Sequence, residues 1–123
     1  MAQEINSSDW PVFCQRVSEQ RAGAMVKLEV VESDGLKTQQ IANATFESLV
    51  FDATGDCNNV ITVRLRSERE IVHSILEPIQ IRLSPADVAG NFNPLEIKAE
   101  SGITTITFHP AIHAQILVGL KTA

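Results

Sequence analysis

At 123 residues the chain suits one domain, large enough to bury a core without disulfide or metal staples. Its 44% hydrophobic and 20% charged residues exclude a disordered chain, and a net charge of −5 argues against a general nucleic-acid binder, which needs a basic field. No apolar stretch is long enough to span a bilayer, and MAQEINSSDW lacks the basic and apolar regions of a signal peptide, so the expected setting is cytoplasmic, with neither membrane nor nucleic acid as partner.

Ser7-Ser8-Asp9-Trp10-Pro11 opens a helix predicted over about residues 8–21. A serine can cap free backbone N–H groups, Asp9 suits the positive helix end, and Pro11 is tolerated in a first turn. Trp10, Phe13, Cys14 and Val17 form an apolar stripe at helical spacing, and Gly23 is the stop. Cys14 and Cys57, the two cysteines, make no disulfide framework; both read as reduced thiols, Cys14 packed as a small hydrophobe.

Strands follow. Val26 to Val30 alternates strictly between apolar and charged residues, and Ser33-Asp34-Gly35 turns the chain. Lys37 to Ile41 is a weak strand, and Phe46 to Ala53 a more apolar one whose irregular pattern points to a bulge. After a loop over residues 54–59, Ile61, Val63 and Leu65 alternate with Thr62, Arg64 and Arg66. Ile71 to Leu76 is a strand, Glu77-Pro78 interrupts it, and Ile79, Ile81 and Leu83 alternate beyond. Residues 84–94 read as a loop, with one helical turn at 85–88. Leu95 to Ala99 and Thr104 to Phe108 flank Glu100-Ser101-Gly102, a strong hairpin signal. Ile112, Ile116, Leu117 and Leu120 predict a short C-terminal helix at about 111–120.

The expected fold is α+β: a curved antiparallel sheet or small open barrel of seven to eight strands, with an N-terminal helix across one face and a short C-terminal helix. Hairpin-length links imply that successive strands pair. Met25, Val31, Val60 and Val72 fall on outward positions, so part of the sheet is expected to be covered by a helix or a second subunit.

Three groups of residues carry a family resemblance: Ser8-Asp9-Trp10-Pro11-x-Phe13; His73-x-Ile75-x-x-Pro78-x-x-Ile81-x-Leu83; and Leu95-Glu96-Ile97 followed by Ser101-Gly102-x-Thr104-Thr105-x-x-Phe108. In this order the chain resembles the small stand-alone bacterial proteins grouped as domain of unknown function 5335. The resemblance covers nearly the whole chain, least closely from Ala111 onward. It implies a bacterial single-domain protein and brings no assigned activity, cofactor or catalytic residue.

Candidate sites are sparse. His73 shares a strand face with Ile71 and Ile75, and its imidazole could serve as a base or a ligand. One titratable group makes no catalytic set, so a structural histidine is the commoner case. His109 and His113 are four apart, but Pro110 between them keeps them off one helix, and two further zinc ligands are wanting. Asp52-Ala53-Thr54-Gly55-Asp56 lacks the alternating ligands of a calcium loop. Arg64, Arg66 and Arg82 project from polar strand faces and could hold an anion, although cross-strand pairing with Glu29, Glu47 or Glu96 is the commoner fate. Trp10 reads as a helix-to-sheet anchor. No catalytic residue, metal or cofactor is assigned. The expected function is a non-catalytic binding or assembly module, a homodimer by self-association. The alternative is a binder of a small anionic ligand through His73, Arg64, Arg66 and Arg82, and a hydrolase or metalloenzyme is the remote third.

Overall fold

Alternation along the strands becomes two faces of one sheet in the computed structural model, which describes residues 2–35, 37–54, 58–87 and 89–120. In chain order the elements are β1 (Gln3–Ile5), a 3-10 turn (Ser7–Asp9), α1 (Trp10–Arg21), β2 (Met25–Glu32), β3 (Lys37–Thr54), β4 (Asn58–Arg66), β5 (Glu70–Leu76), β6 (Pro78–Pro85), β7 (Asn91–Ala99), β8 (Gly102–His109), β9 (Ile112–His113) and a 3-10 turn (Ala114–Leu117). All pairings are antiparallel, in the order β1-β6-β7-β8-β2-β3-β4-β5, with β9 beside β7.

The inner face is continuous across strands. Val26 and Leu28 on β2 sit opposite Phe108 and Ile106, Ile97 opposite Ile81, and Leu49 opposite Val63. All are buried, and Phe46 meets Phe108 edge-to-face with centroids 5.0 Å apart. Helix α1 lays Trp10, Phe13, Cys14 and Val17 onto this face. Trp10 is the anchor expected: it packs edge-on against Phe51, and its indole N–H donates to the Ile5 carbonyl at 3.0 Å.

Predicted and observed elements differ where side-chain periodicity is a poor guide to pairing. The two strands expected at 37–41 and 46–53 are one 18-residue strand, β3. Bulges absorb its irregularities: Asn43, at φ 60°, lies where the β2 register slips, and Glu47 is the extra residue opposite β4. β5 and β6 follow one another across Glu77 alone but do not pair; β5 ladders to β4, while β6 goes to β1 and β7. A register shift between Pro78 and Gln80 buries Pro78 and turns Ile79 out. The 3-10 turn that leads into α1 is capped by Asn6, whose Oδ1 accepts from the Ser8 N–H at 3.0 Å, ahead of the serines read as caps. β7 begins at Asn91, inside the stretch read as loop, because β9 gives that segment a partner. The C-terminal helix is a four-residue 3-10 turn. The helical turn expected at 85–88 is not formed over Pro85–Asp87, and Val88 lies outside the described residues. The β7–β8 hairpin turns where expected. A Cβ on Gly102 would collide with the Val31 carbonyl, so only glycine fits.

β3 changes partners midway. Residues up to Thr45 pair with β2, and those from Thr45 to Thr54 pair with β4. The second half would therefore expose one edge. Phe46 bonds Gly23 and Ala24 through both its backbone groups, each at 2.8 Å. One turn back in α1, the Ser18 hydroxyl accepts from the Leu49 N–H at 2.8 Å and lies 2.9 Å from its carbonyl. The other side of α1 holds the C-terminal segment. The Gln20 amide oxygen accepts from the His113 N–H at 2.8 Å, Arg16 donates to the Ile116 carbonyl at 2.9 Å, and Arg21 to that of Ala111 at 3.0 Å.

Candidate functional site

His73 is an inner-face residue of β5, opposite Val63 of β4. Its Nε2 hydrogen-bonds the Thr104 hydroxyl of β8 at 3.2 Å. Three strands separate β5 from β8 in the sheet order. A direct side-chain bond between them requires the sheet to roll until its far wall returns over β8, giving an open barrel. Thr104, 4% exposed, is the one buried polar residue among those described. A buried hydroxyl needs a partner, and His73 supplies it. Partial burial lowers the His73 pKa from the usual histidine value, which favours the neutral ring. Thr104 was legible in principle: it is the polar residue on a face whose next members are Ile106 and Phe108.

The arginines lie elsewhere. Arg64 and Arg66 share the outer face of β4, while His73 points inward. Arg64 pairs with Glu70 at 2.8 Å and Arg66 with Glu47 at 3.2 Å, both largely exposed, so each pair contributes roughly 0.2–1 kcal/mol. Arg82 is exposed on β6, in register between Glu4 of β1 and Glu96 of β7. Arg64 and Arg66 are thus brought together, His73 is set on the opposite face, and Arg82 stands on another strand among carboxylates.

His109 ends β8 and His113 ends β9, where its Nδ1 accepts from the Gln115 N–H. Among the described residues no three His, Cys, Asp or Glu side chains gather as a metal set. Cys14 is a buried free thiol whose pKa burial pushes up to about 12, so it is held protonated and unreactive. Cys57, with Gly55 and Asp56 of the calcium-like loop, lies outside the described residues.

The surface that stands out is at the barrel end where β5 passes into β6. Three clefts run together there, of about 410, 520 and 500 Å³. The first, between Val31, Ile79 and Ile103, shares Ser33 and Glu100 with the second, which lies along Ser74, Leu76 and Glu77. The second shares Leu76 and Glu77 with the third, beside Val60. Leu76 is 64% exposed, Ile79 59% and Ile103 37%. Glu77, at φ 50°, holds a left-handed backbone that costs a non-glycine residue about 1–2 kcal/mol. It sits at the centre of this surface, and its N–H is tied to the Asn59 carbonyl at 2.8 Å. The sequence marked Val31 and Val60 as outward apolar positions. It did not mark Ile79, whose exposure depends on the β6 register shift.

A family model described as a family of unknown function, DUF5335, matches residues 1–114. The chain belongs to that family. The match takes in α1 and all nine described strands and stops at Ala114, where the last 3-10 turn begins. No curated protein matches the chain. Among solved structures it is similar to the Bacillus subtilis YojF protein, with a TM-score of 0.47 and 12% identity over 87% of this chain and 92% of that one. No helix among the described residues is long and apolar enough to cross a membrane.

Proposed function

We propose that the chain is a non-catalytic binding and assembly module whose contact surface is the apolar end around Leu76, Ile79 and Ile103. The observation that carries this reading is the run of three connected clefts whose shared borders are Leu76, Glu77, Ser33 and Glu100. Contiguous exposed apolar surface rimmed by polar groups is the usual signature of a protein contact. The half-buried His73 of β5 is engaged with Thr104, a residue with no acid–base role to offer it. A reducing, cytoplasmic setting belongs to the same reading, supported by Cys14 as a buried free thiol.

Gel filtration with light scattering tests it. The wild-type chain is expected to gain mass with concentration, and the Leu76→Ser/Ile79→Ser variant to stay monomeric with an unchanged circular dichroism spectrum. A wild-type protein that remains monomeric at high concentration, or a variant that associates equally well, counts against the reading.

A further inference from the structure

We infer that β5 is the edge along which two copies of this chain pair, antiparallel, about a two-fold axis at His73. The inference rests on the assembly reading above and names its partner. Among the described residues β5 is laddered on one side only, to β4, over seven unbroken pairs from Val60–Leu76 to Arg66–Glu70. The opposite end of the sheet is β1, three residues long, so β5 is the long open edge. Natural edges of this length are blunted by lysine, proline or a bulge. Glu70–Leu76 has no lysine, no proline and no register shift. Its outer row of N–H and C=O groups is a template for another strand.

Charge selects the register. A two-fold axis normal to the sheet keeps inner side chains beside inner ones, so it passes through a residue: Val72, His73 or Ser74 near the strand centre. At His73, Ile71 of one copy meets Ile75 of the other on the inner face, and Val72 meets Ser74 on the outer. Glu70, already paired with Arg64, meets Leu76. One residue beyond each strand end, Arg69 meets Glu77, and the symmetry makes this pair twice. With the axis at Ser74, Ile71 would face Glu77. With the axis at Val72, Leu76 would face Glu68, and Arg69 would face Ile75. The His73 register is the one of the three that opposes the two end charges and leaves neither against an isoleucine. Arg69 and Glu77 are both exposed, and Leu76 is covered as the strands join.

Charge reversal tests the register directly. Arg69→Glu and Glu77→Arg each set like charges face to face twice, and each is expected to weaken the homodimer about tenfold or more in sedimentation velocity. An equimolar mixture of the two variants makes every end pair opposite in sign and should recover wild-type affinity, as should the combined Arg69→Glu/Glu77→Arg chain. Thermal melts of each variant check that the fold is kept. A wild-type monomer would overturn both the assembly reading and the β5 register. If the wild type associates but the single reversals do so equally, or the mixture recovers nothing, the β5 pairing falls and association through the apolar end stands.

Discussion

At His73 two demands meet on one side chain. Thr104 needs a hydrogen-bond partner in the interior, and the interior disfavours a charged ring. The folded pKa therefore lies below the unfolded value near 6.5. Above that value both states carry a neutral ring, and the stabilisation from the His73–Thr104 pair is fully present. As the pH falls below it, the unfolded chain takes up the proton first, so stability declines until the pH passes the folded value. Urea unfolding followed from about pH 7.5 to about pH 5 should show this decline, and a His73→Gln variant should flatten it. An equal decline in the variant would assign it to other groups. The inward direction of His73 was legible from its place between Ile71 and Ile75. Its pairing with Thr104 was not, because that buried threonine lies 31 positions away and comes near only when the sheet rolls.

Among elements, α1 does the work of a missing strand. The half of β3 that β2 leaves behind presents an open edge, and Ser18 meets Leu49 there through one hydroxyl. Removing it leaves two backbone groups in a partly buried crevice without that partner. Ser18→Ala should cost about 1–3 kcal/mol in urea unfolding, more than an exposed helix position would. A loss below about 0.5 kcal/mol would show that water replaces the hydroxyl. The helix itself was plain in the sequence, since Trp10, Phe13, Cys14 and Val17 recur at helical spacing. Ser18 carried no such signal, as a serine on a helix is ordinarily a solvated residue. The merging of two expected strands into β3 was hidden for a related reason. Bulges at Asn43 and Glu47 break the alternation while the chain stays extended.

Across the whole molecule, β3 belongs to both walls of the open barrel, pairing with β2 in its first half and β4 in its second. One continuous strand thus ties the two walls together. Unfolding should therefore be a single transition, with fluorescence of Trp10, the sole tryptophan, coinciding with far-ultraviolet circular dichroism. Separate midpoints would mean that the walls come apart independently. The same long strand carries β4 and β5 around to β8 and leaves β5 at the open end of the sheet, beside the exposed Leu76 and Ile79.

By itself the sequence determined what is local: the helix at Trp10–Arg21, the faces of β2, β4, β7 and β8, and the turn at Gly102, because periodicity and turn chemistry act over a few residues. Strand order, the His73–Thr104 bond, the separation of Arg82 from Arg64 and Arg66, and the exposure of Ile79 were decided by tertiary structure alone. Each depends on which distant strands share a ladder and where a bulge shifts its register, and alternation reads the same whichever neighbour a strand takes.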